Sequence, residues 1–261
     1  MSSQFSVIFE EFSEELEAIQ VLVSASGDPK LGRPKARIAG ANASILLLAA
    51  TFEEFVREMA RAYARSVIAA ATSYDRIPTK LASVAWRRTM ESLARIAINP
   101  NEAVRESAFS EAHTKFSVVY QFCRGDITQD IYQDLIHNEN NMRPGEINSL
   151  FKISNLNNVC LLASDSDHLK ELFDEKEVGK VHGLLLKALE AFFERRNQVA
   201  HSISAMRSAS PDLINGDIKL LSCFGAALAA TLEAKVPVLQ AEIGSNEPTG
   251  EGNSALHEGS A

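Results

Sequence analysis

The segment Phe192-Phe193-Glu194-Arg195-Arg196-Asn197-Gln198-Val199-Ala200-His201-Ser202 carries the residue types best suited to chemistry in this sequence. Leu185, Leu189, Phe192, Arg196 and Val199 fall on one helical stripe, and Leu186, Leu189, Phe193, Asn197 and Ala200 on its neighbour. Arg196 and Asn197 therefore stand where the pattern calls for apolar side chains. A half-buried guanidinium costs several kcal/mol unless it is paired, so the break marks a place where the charge is wanted. A guanidinium binds a phosphodiester through paired N–H donors. A histidine titrates near neutrality and can move the proton of a ribose 2′-hydroxyl or of a leaving 5′-oxygen. An amide such as Asn197 can orient either group. The bland alternative is a surface arginine and a helix-end histidine, with Arg195 and His201 complementing the helix dipole.

His201 follows Asn197 by four positions, on the same face. It follows Arg196 by five, about 140° around the helix axis. Two copies of the helix about a two-fold axis would bring two such sets to one cleft. The reaction needs no metal, and the sequence has no H-E-x-x-H, no clustered aspartates and no Walker loop.

The elements that must position these residues read as helical throughout. Apolar residues recur at a period near 3.6 over positions 4–24, with Glu10, Glu11, Glu14, Glu15 and Glu17 on the opposite face. Long helices are expected at 35–72, from Pro78 through Ile96, at 102–122, at 176–202 and at 211–241. Short helical pieces are expected at 127–136 and after Pro144, with loop and a turn or two over 154–175. Val104, Phe109, Phe116, Val119 and Tyr120 are expected as the apolar stripe of the fourth helix. Arg57, Arg61 and Arg65 read as a solvated stripe. The expected fold is all-α, one domain over 1–243, followed by a disordered acidic tail, 244–261.

Composition sets outer bounds. The chain is 46% hydrophobic and 23% charged, ordinary for a globular protein. A net charge of −8 excludes bulk polyanion binding of the histone kind. That charge is uneven, because residues 30–124 hold 15 Lys/Arg against 8 Asp/Glu. Cys123, Cys160 and Cys223 are scattered and fit neither a disulfide framework nor a zinc site; they read as small core residues in a reducing cytosol. No basic-then-apolar leader is visible and the charge-free run 38–52 is short for a bilayer, so a cytoplasmic protein without membrane contact is expected.

Arg196-Asn197-Gln198-Val199-Ala200-His201 resembles the R-N-x-x-x-H signature of the HEPN ribonuclease superfamily, in its RiboL-PSP-HEPN branch. Ala49-Ala50-Thr51-Phe52-Glu53-Glu54-Phe55 is similar to that family's early helix, and Asn140-Asn141-Met142-Arg143-Pro144-Gly145-Glu146-Ile147-Asn148-Ser149-Leu150-Phe151 to its middle element. These anchors span about 36–203. Ser202 stands where members often have Gly.

The resemblance implies a HEPN-like helical bundle with extra flanking helices, and a homodimer with a composite site. It implies metal-independent endoribonuclease activity without cofactor. Arg196, His201 and Asn197 are the implied catalytic set. Glu53 is implied to pair with Arg196 or with a basic residue of the second or third helix. Toxin–antitoxin or phage-defence partners are a further implication. The alternative is a non-catalytic helical module that binds nucleotide, RNA or protein through the same face. Arg195, and Arg87 and Arg88 beside Trp86, are candidate RNA contacts; a core Trp86 beside a solvated Arg pair is the plainer reading. Lys30, Arg33, Lys35 and Arg37 form a basic stretch that either touches phosphate or is solvated. His113, His137, His168 and His182 lack metal-like spacing.

Overall fold

The computed structural model describes residues 3–30, 32–136, 141–201 and 209–237. Among these residues the secondary structure is helical, with no strand. The helices are α1 (Gln4–Gly27), α2 (Pro34–Ala69), α3 (Thr79–Ala94), α4 (Glu102–Cys123), α5 (Tyr132–Leu135), α6 (Pro144–Ile153), α7 (Val159–Ala163), α8 (Asp167–Phe173), α9 (Val178–His201) and α10 (Pro211–Lys235), with a single 3-10 turn at Tyr74–Arg76. The expected tail, 244–261, and His137 lie outside the described residues.

Local sequence explains where the helices start. The Ser3 hydroxyl accepts from the Ser6 amide at 3.1 Å, forming a capping box on α1. Asn101 and Ser210 cap α4 and α10 in the same way, accepting from Val104 at 3.3 Å and Leu213 at 3.2 Å. Pro34, Pro144 and Pro211 occupy first turns, where a missing N–H costs nothing.

Four helices converge on one aromatic cluster. Phe12 of α1 stacks on Phe55 of α2 at 4.1 Å between ring centres. Phe52 lies 6.1 Å from Phe193 of α9 and 6.0 Å from Phe224 of α10. Phe52, Phe193 and Phe224 are fully buried, and each such side chain contributes about 2–3 kcal/mol by leaving water. The α1–α10 approach depends on Gly225, where a Cβ would sit 3.1–3.2 Å from the rings of Phe9 and Phe12. The α2 and α10 helices are long and apolar enough to cross a bilayer by length and composition alone. Their apolar residues instead supply much of this buried cluster.

Three expectations change. In α4 only Val119 and Phe122 are buried; Val104, Phe109, Phe116 and Tyr120 are exposed, because α4 packs mainly on α3. Trp86 is not a core residue but 39% exposed on that same hairpin. Arg61 is not solvated: it is buried and paired with Glu54 at 2.9 Å and with Glu58. Arg57 shares Glu54 at 2.8 Å, and Arg65 lies over the Tyr132 ring, 5.0 Å from its centre.

Candidate active site

The core stripe of α9 runs through Leu185, Leu189, Phe192 and Phe193, all fully buried. One turn further, Arg196 and Asn197 leave the core and are half-buried. The Phe52–Phe193 contact fixes the crossing of α2 over α9. It brings the next residue of α2, Glu53, into the field of Arg196.

Glu53 is partly buried, and its Oε1 has no hydrogen-bond partner among the described residues. Burial raises its carboxyl above the usual range. The guanidiniums of Arg196 and Arg57 and the Met142 backbone amide act in the opposite direction. Arg196 makes no ion pair within 4.0 Å among the described residues. Its Nη1 donates to Asn197 Oδ1 at 3.3 Å. The same oxygen accepts from Asn141 Nδ2 at 2.9 Å.

Asn141 belongs to a short strip that α9 holds in place. Met142 is fully buried. Arg143 pairs with Glu190 and, at 3.4 Å, with Glu194, one turn apart on α9. Pro144 then opens α6, whose Asn148 Oδ1 accepts from the Cys160 amide at 3.1 Å and secures the start of α7. Asn141, Arg143, Glu190 and Glu194 had no individual role in the sequence reading. The signal was present in the Asn-Met-Arg-Pro string, but its partner helix was not.

His201 ends α9 and is exposed. Ideal helix geometry sets it about 7.5 Å along the axis from Arg196 and about 140° around it. Glu53, Asn141, Arg196 and Asn197 thus form one connected set, and His201 faces a different direction of the same helix end.

The other candidates divide. Arg195 is committed elsewhere: its Nε donates to Asp217 Oδ2 at 3.2 Å, and its Nη2 pairs with Oδ1. Asp217 is buried in α10, where desolvation raises its carboxyl and Arg195 lowers it. A buried carboxylate needs such a partner, so Arg195 is a tie between α9 and α10. Arg88 donates to the Leu135 carbonyl at the end of α5. Burial and Arg87 lower its pKa, while Glu91 and Glu146 act to raise it. Arg87 is exposed beside Trp86. Lys30, Arg33 and Lys35 are exposed and Arg37 is half-buried.

The described residues hold no group of three or more His, Cys, Asp or Glu that could bind a metal ion. Cys160 is buried, and its thiol is pushed up to about 12; Cys123 and Cys223 are half-buried, with thiols raised by burial. None has the lowered pKa that a thiolate nucleophile needs.

A family model described as RiboL-PSP-HEPN matches residues 10–224, from within α1 to within α10. No curated protein and no solved structure matches the chain. The family match points to a nuclease or otherwise RNA-related role.

Proposed function

The chain belongs to the RiboL-PSP-HEPN family, and on that premise we propose that it is a metal-independent endoribonuclease acting as a homodimer. The observation that carries this reading is the state of Arg196. It is half-exposed, it has no ion pair among the described residues, and the Asn141–Asn197 pair holds one of its N–H groups. A guanidinium has five N–H donors, and one so held can still grip a phosphate through others.

In this reading Arg196 binds the scissile phosphate and stabilises the charge that grows on its oxygens. The ribose 2′-oxygen attacks phosphorus, and the bond from phosphorus to the 5′-oxygen breaks. The 2′-hydroxyl proton passes to a base, and the leaving 5′-oxygen takes a proton from an acid; His201 serves one of these roles. The nucleophile belongs to the RNA, so no metal-bound hydroxide is required. The product end is a 2′,3′-cyclic phosphate. The angle between Arg196 and His201 favours a cleft shared by two copies, with Arg196 from one chain and His201 from the other. Glu53, within electrostatic reach of Arg196, favours its positive charge. A cytoplasmic setting and an antitoxin or defence-system partner belong to the same proposal.

Cleavage of mixed RNA by wild type and by His201→Ala, both in EDTA, tests it. The expected result is metal-free cleavage leaving cyclic phosphate ends, lost in the variant. RNA that stays intact with wild type, yet binds wild type more tightly than His201→Ala, would instead support a non-catalytic module using the same face.

A further inference from the structure

We infer that the outer face of the α3–α4 hairpin is a stacking surface for single-stranded RNA, built from Trp86, Phe116, Tyr120 and Arg124. The inference rests on the RNA-directed reading of the family but not on catalysis. Trp86 meets Phe116 edge to face at 6.2 Å between ring centres. Phe116 stacks on Tyr120, one turn along α4, at 5.6 Å and 21° between planes. The Arg124 guanidinium lies 5.8 Å from the Tyr120 ring centre and donates to its hydroxyl at 3.4 Å. The three rings are each 38–39% exposed. They form a row of π surfaces that ends in a cation.

Each base of a single strand has a π face, so a row of rings can stack successive bases whatever their identity. Charge selects the occupant. The hairpin as a whole, residues 76–124, contains eight Lys or Arg against four Asp or Glu, in a chain of net charge −8, and one of those acids, Glu111, is paired with Lys115 at 3.2 Å. A polyanion fits that face better than the acidic surface of another copy of this chain.

Trp86 is the only tryptophan in the chain, so its fluorescence reports on this face alone. The probe is a short single-stranded RNA with 2′-O-methyl sugars, which has no attacking hydroxyl. Titrated into the full chain, it should quench Trp86 saturably, and more weakly as salt rises. Tyr120→Ala should weaken the affinity about tenfold. Absence of quenching, or equal quenching in Tyr120→Ala, overturns the inference. So does Trp86 emission that varies with protein concentration together with loss of the dimer in Tyr120→Ala, because a second copy would then cover the face. Quenching without RNA cleavage by wild type supports the surface while defeating the nuclease reading. Cleavage without quenching does the reverse.

Discussion

Asn141 donates through Nδ2 to Asn197 Oδ1 at 2.9 Å, across 56 positions of chain. The oxygen that receives this bond also receives Arg196. The middle strip of the sequence is thereby wired to the basic group of α9, and Arg143 anchors the strip to Glu190 and Glu194 of the same helix.

Asn141→Ala removes one hydrogen bond from the set that orients Arg196. A bond of this kind contributes about 1 kcal/mol, or roughly fivefold in rate if it is felt in the transition state. RNA cleavage should slow by that factor while the melting temperature stays close to wild type. An unchanged rate would show that Asn197 orients Arg196 without help.

Arg195 and Arg196 are neighbours with opposite expected phenotypes. Asp217→Ala strands Arg195, which is one quarter exposed and can partly rehydrate, so the cost should be about 2 kcal/mol of stability. Arg196→Ala should change stability by under about 1 kcal/mol yet lower cleavage by about a hundredfold or more. Chemical denaturation and cleavage rates of the two variants separate the roles. A large stability loss in Arg196→Ala would reassign it as structural.

Glu53 gives a pH signature. Its folded-state carboxyl lies above the ordinary 4.5 because burial outweighs the attraction of Arg196 and Arg57. The folded state therefore holds the proton more tightly than the unfolded chain. The stabilisation this brings is complete below the ordinary value and is lost as pH rises through the raised one. Glu53→Gln cannot ionise, so it should gain stability relative to wild type as pH rises through 4.5 and above. Unfolding curves across that range check the sign; a relative gain by wild type would contradict it.

Gly225→Val tests the aromatic seam between α1 and α10. The added atoms meet Phe9 and Phe12 so closely that the rings must give way by a few tenths of an ångström. Overpacking of this kind costs about 1–3 kcal/mol, readable as a lower denaturation midpoint. A neutral result would mean that α1 can shift away from α10.

The helix order was legible because periodicity and capping residues act locally. Arg196 and Asn197 were legible because they interrupt an apolar stripe that ends at Phe192 and Phe193. Trp86, Phe116 and Tyr120 misled, because an aromatic stripe has the same period whether it faces a core or solvent; what decides is that α4 packs mainly on α3 among the described residues. Arg195 misled because its partner, Asp217, lies 22 positions away on another helix. Arg61 misled for a closer reason: its i−7 and i−3 carboxylates, Glu54 and Glu58, let a charge be buried on a face that looks solvated in sequence.

The most direct measurement mixes two inactive proteins. Arg196→Ala and His201→Ala are purified separately, combined in equal amounts, allowed to exchange subunits, and tested on RNA in EDTA. A shared cleft predicts that each variant alone is inactive and that the mixture recovers about a quarter of wild-type activity, through one intact site in each mixed dimer. A mixture as inactive as its parts would contradict the shared cleft, and RNA cleavage by either variant alone at the wild-type rate would contradict the catalytic assignment itself.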